Sequence, residues 1–186
     1  MIARSLLLIG GSLLVATAAN AQTIHVLGTN ADAIACFRAA ESESPRPEAL
    51  RPCGEALRNT DLSAHDRIAT YVNRGIVNFR TANFDAAIAD FDTALDLHPN
   101  QPDALINKGI TMLAAGSEVN SAVSMIDQGL ANRPQRPWVG YWGRAVAHEL
   151  AGRDAQAYRD YSRARQLRPG WQPAEQALAR FSVRGG

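Results

Sequence analysis

The sequence has little that would mark it as an enzyme, a nucleic-acid binder or a membrane protein. Its 19 basic residues are nearly balanced by 18 acidic ones, and only Lys108 is a lysine, which we read as genomic coding bias. Nucleic-acid binders usually carry a clear basic excess, so that partner class is not expected. Alternating strand patterns and β-branched runs are missing, which argues against a sheet. Beyond residue 21 there is no G-x-S-x-G, phosphate-loop or dinucleotide fingerprint. His148 and Glu149 open like the zinc motif H-E-x-x-H, but Gly152 stands where the second ligand belongs. The other histidines, His25, His65 and His98, are scattered, and the carboxylates are spread along the chain with no evident acid/base pair. No catalytic, cofactor or metal site is therefore expected.

The longest apolar run lies at the N-terminus. Arg4 precedes an apolar stretch that starts at Leu6, and small residues follow up to Ala21. That is the layout of a secretory signal peptide, with cleavage expected between Ala21 and Gln22. A membrane anchor is the rival reading, but the run is shorter than the ~20 residues a spanning helix needs, and Gly10 and Gly11 interrupt it. No later stretch is apolar enough to span a bilayer. The expected product is exported, most simply to the periplasm or else secreted, with no stable membrane insertion. Losing the segment removes Arg4 and leaves the formal charges equal.

Cysteine is scarce too. Cys36 and Cys53 are the only two, 17 positions apart. An even count in an export-bound chain points to a disulfide. Two free buried thiols are the alternative. Metal sites favour C-x-x-C spacing with histidines, and no histidine lies between these two.

What the sequence does have is repetition. Residues 87–100 read AIADFDTALDLHPN and residues 157–170 read AYRDYSRARQLRPG. Ala, Asp, aromatic, Ala, Leu and Pro recur at the same offsets, and residues 122–135 (AVSMIDQGLANRPQ) keep a weaker copy midway, at steps of 35. Upstream of each copy lies another apolar segment with three- and four-residue spacing, as in Val72, Ile76 and Phe79, or Ile106, Ile110 and Leu113. That period predicts helices. Gly116 and Gly152 are placed to end first helices, and Pro99, Pro134 and Pro169 to end second ones. Small residues (Gly75, Gly109, Ala145 against Ala87, Ala122, Ala157) allow close approach, with Phe91, Ile126 and Tyr161 filling the space between pairs. Arg74 and Asp90, like Arg144 and Asp160, are 16 apart and are expected to join the two helices of a repeat. In the middle repeat Lys108 faces Met125 instead.

This pattern resembles the tetratricopeptide repeat (TPR) family. The matching residues are Tyr71, Gly75, Ala87, Phe91, Ala94 and Pro99; then Leu105, Gly109, Ala122, Ile126, Gly129 and Pro134, with one extra residue near Ser117; then Tyr141, Ala145, Ala157, Tyr161, Ala164 and Pro169. The resemblance implies an all-α solenoid of antiparallel helix pairs. The expected layout is a signal peptide (1–21), a flexible start (22–30), a degenerate helix pair (31–62) holding both cysteines, three repeats (68–100, 102–135, 138–170) and a capping helix (173–182). Terminal units of stacked arrays need such a cap.

By the same resemblance the first helices line a concave groove. Its residues would be Val72, Asn73, Ile76 and Arg80; Asp103, Ile106, Asn107 and Ile110; and Val139, Trp142, Val146 and Glu149. Asn73 and Asn107 hold the same repeat position, and a side-chain amide offers both a donor and an acceptor, so the pair could grip an extended peptide backbone. The other use for them is a bond to a neighbouring helix. The Lys/Asn/Arg set with which some TPR domains clamp a C-terminal carboxylate is missing, since Val72 and Ile76 stand at its first two positions. Trp142 is expected to be partly exposed. The reading that follows is a non-catalytic exported adaptor that binds a protein or peptide in a largely apolar groove. The alternative is a homo-oligomeric envelope component whose groove takes a second copy.

Overall fold

The computed structural model describes residues 21–184, so the signal-peptide expectation for residues 1–20 lies outside the described residues. The described chain forms four antiparallel helix pairs and a capping helix, the TPR-type arrangement expected. The pairs are α1 (Ala31–Glu41) with α2 (Leu50–Arg58), α3 (Ala64–Arg80) with α4 (Phe84–Leu97), α5 (Pro102–Ala114) with α6 (Val119–Ala131), and α7 (Pro137–Leu150) with α8 (Asp154–Leu167). The cap is α9 (Gln172–Arg184).

Local chemistry sets the helix ends. Asn30, Ser63, Gln101 and Glu118 each accept a main-chain N–H of the following first turn, satisfying a donor that the helix itself leaves open. Pro102 and Pro137 stand at first helical positions, where their missing N–H costs nothing. Pro52 lies in the first turn of α2 for the same reason. At the turn inside each repeat the chain enters the left-handed region. Gly116 and Gly152 supply it in the second and third repeats at φ 77° and 69°, while Ala82 is held at φ 60° in the first. The extra residue of the second repeat lies in this turn, between Ala114 and Val119.

Phe91, Ile126 and Tyr161 are fully buried. The close approach at Gly75 differs from the sequence expectation. A β-carbon there would lie 2.6 Å from the Phe91 ring, so the phenyl group, not Ala87, occupies the space beside that glycine. In the second repeat the equivalent Gly109 faces both Ile126 and the Ala122 carbonyl. Ala87 is nonetheless fully buried, and Ala89 is exposed. Ala87→Leu is expected to cost about 1–3 kcal/mol by overpacking, and Ala89→Leu almost nothing. Urea melts that reverse this order would contradict the assigned faces.

The expected ion pairs form with two-point geometry. Arg74 Nε donates to both Asp90 oxygens at 3.0 Å, and Arg144 holds Asp160 through Nε and Nη2 at 2.8 Å each. Lys108 pairs with Asp92 of the preceding repeat. The hydrogen bond to Asp160 leads the effects that raise the Arg144 pKa above its usual value.

Cys36 and Cys53 are disulfide-bonded and join α1 to α2. The loop they close spans 17 positions. Replacing both by alanine is expected to lower stability by roughly 3 kcal/mol through the freedom returned to the unfolded chain. Thiol counting on the denatured, unreduced protein should find none free; two titratable thiols would refute the pairing.

Candidate functional site

The groove of first helices is present, and the chain's own residues 21–28 run through it. Ala21, Gln22, Thr23 and Ile24 are buried, although 22–30 was expected to be flexible. Asn107 accepts the Gln22 N–H at 3.0 Å and donates to the Gln22 carbonyl at 2.9 Å. Asn73 does the same for Ile24, at 2.9 and 2.8 Å. Each amide thus serves as a peptide unit and makes both bonds of a strand ladder.

The spacing has a simple cause. Neighbouring helices pack at about 8–10 Å, and two residues of extended chain advance about 7 Å. Asparagines at one position of successive repeats therefore meet every second residue of a strand. Gly143 holds this position in the third repeat, which therefore has no side-chain amide there.

Asp66 continues the grip and was not foreseen. Its two oxygens accept the Leu27 and Gly28 N–H groups at 2.8 and 2.9 Å. A β-carbon on Gly28 would lie 2.5 Å from that carboxylate, which explains the glycine. Burial alone would raise the Asp66 pKa. It is outweighed by the bonds from Leu27, His65, Ser63 and Gly28, which hold the carboxyl below the usual range. The sequence signal is Ser63-x-x-Asp66, which reads as a capping box. The Ser63 hydroxyl does accept the Asp66 N–H, but the carboxylate turns toward the strap.

The other groove positions are placed as follows. Val72, Ile76, Ile106, Ile110, Val139 and Val146 are buried core residues. Arg80 donates to the Ala40 and Ser42 carbonyls at the end of α1, and Glu149 accepts from Tyr161 and Arg180, tying α7 to α8 and α9. Trp142 is 4% exposed, against the expected partial exposure, with Trp171 edge-on at 6.3 Å. The C-terminal end of α1 closes over the strap. The Thr23 hydroxyl donates to Glu41, which also accepts from Arg136.

Asp103, one turn before Asn107, is 6% exposed. Burial pushes its carboxyl up to about 6, opposed in part by the Gln101 amide and Arg136. An unfolded aspartate titrates near 3.8. Between those values the folded protein holds a proton that the unfolded chain has lost. This residue therefore contributes stability on the acid side that falls away as pH rises through the window. Asp103→Asn should remove that slope and stabilise the neutral-pH protein by about 2 kcal/mol. Urea midpoints for both proteins on either side of the window provide the check.

Among the described residues there is no group of three or more metal-ligating side chains, and no helix is long and apolar enough to cross a membrane. This is a TPR-like repeat chain on a helix-pair solenoid. No family model matches the chain. The tetratricopeptide repeat and J domain-containing co-chaperone DNJ1 of Fusarium oxysporum f. sp. lycopersici is 33% identical over 107 residues, 54% of this chain. The match spans 20% of that protein's length. Two solved structures share the fold. The first TPR domain of human RPAP3 has a TM-score of 0.57 at 21% identity, over 62% of this chain and 90% of that one. MamA has a TM-score of 0.57 at 17% identity, over 74% of this chain and 77% of that one.

Proposed function

We propose that the protein is an exported, non-catalytic adaptor whose groove holds an extended segment of a partner protein. The observation that carries this reading is the double hydrogen bonding of Asn73 and Asn107 to alternate residues of a strand. Main-chain recognition of this kind gives affinity without dictating sequence, while neighbouring side-chain pockets select. The chain's own strap uses the same ladder, so a partner segment replaces residues 22–28 to bind. The cleavage-site pattern at Ala21 supports export, with the periplasm the simplest destination. Cell fractionation tests that part.

The binding test is a chain starting at residue 29 mixed with a synthetic peptide of residues 22–28 acetylated at its N-terminus, so that Gln22 keeps its amide N–H. Uptake of the peptide, abolished by Asn73→Ala with Asn107→Ala, is the expected result. A folded, shortened chain that takes up none would overturn groove binding. A concentration-dependent dimer of the full chain would instead show that a second copy supplies the segment.

A further inference from the structure

Gln22 combines two features that conflict. Its main chain is held on both sides by Asn107, and the residue is fully buried. Yet neither atom of its side-chain amide has a hydrogen-bond partner. A buried primary amide with donors and acceptor both unused is unfavourable, and such groups call for an explanation. Gln22 is also the residue that cleavage after Ala21 would make N-terminal.

We propose that Gln22 is a modification site: once released as the N-terminus it cyclises to pyroglutamate, and the ring form is what seats in the groove. This rests on the cleavage reading above. The α-amine nitrogen attacks the side-chain Cδ, forming an N–Cδ bond. The Cδ–Nε2 bond breaks, and Nε2 leaves as ammonia with the proton given up by the amine. No oxidant or co-reactant is needed. The reaction is within one residue and takes place while the strap is out of the groove.

The product suits a fully buried position better than the open residue does. An uncyclised terminus would bring an ammonium with three N–H groups to a position where Asn107 offers one acceptor. It would also bring a positive charge and the unpartnered amide into the groove. The lactam is neutral and carries one N–H on the α-nitrogen in place of three. The Gln22 carbonyl is unchanged and still accepts from Asn107. Both donors of the side-chain amide are gone, and a single ring carbonyl remains.

The test is the intact mass of the protein from the exported fraction, released directly into acid and denaturant so that no cyclisation occurs during handling. The expected mass is that of residues 22–186 less one ammonia. A chain that starts at Gln22 and retains the ammonia overturns the cyclisation and leaves the export reading standing. An uncut chain, or one starting elsewhere, overturns both. A second measurement asks whether the ring matters for seating. Exported Gln22→Ala, whose amine cannot cyclise, should exchange the Ile24 amide hydrogen at least about tenfold faster than the unaltered protein. Equal exchange would overturn the claim that the ring is the seated form.

Discussion

Trp142→Ala is expected to destabilise the protein by about 3–5 kcal/mol, the range for removing a buried large aromatic side chain. From the repeat register alone, the same substitution would be expected to weaken partner binding and leave the melting temperature nearly unchanged. Burial decides between these outcomes. The indole is 4% exposed and meets Trp171, the residue just ahead of the capping helix, edge to face. Its loss opens a cavity between the third repeat and the cap, so the thermal midpoint should fall. Binding per folded molecule should persist, because the main-chain ladder lies at Asn73 and Asn107. A variant that melts normally but no longer binds would return Trp142 to the recognition surface.

Asn73→Ala combined with Asn107→Ala is expected to release the strap. Four main-chain groups, the N–H and C=O of Gln22 and Ile24, lose their partners. At about 1 kcal/mol or more for each buried group left unpaired, the loss approaches about 4 kcal/mol. The strap can leave the groove and bond to water, so this loss is limited to what its docking contributes. The Ile24 amide should then exchange near the rate of an open chain, while the disulfide-linked α1–α2 pair stays folded. Protection retained at Ile24 would show that apolar burial, not the amide ladder, holds the segment. Asn73→Asp is the informative intermediate. It keeps the acceptor for the Ile24 N–H and loses the donor to the Ile24 carbonyl.

Much of the architecture was legible in the sequence because repeats expose their own rule. The recurrence of small and aromatic residues at steps of 35, with proline after each second helix, defines stacked helix pairs without any long-range information. Arg74 with Asp90 and Arg144 with Asp160 follow from the same spacing, since 16 positions bring the two helices of a pair face to face. The pairing of Asn73 and Asn107 as one functional position was visible for this reason too. Asp66 was hidden because a carboxylate three residues after a serine reads as an ordinary helix cap. Its second use depends on what passes in front of it.

The sequence by itself determined the repeat, its helix pairs and the two asparagines able to grip a peptide backbone. All of these are set by local period and residue chemistry. It did not determine that residues 21–28 fill the groove, that the end of α1 closes over them, or that Trp142 is core. Those contacts join residues up to 95 positions apart, as Glu41 and Arg136 are. An extended segment without periodic patterning carries no sign of its destination. Only the stacked helices create the row of amides and the apolar trough that make burying it favourable.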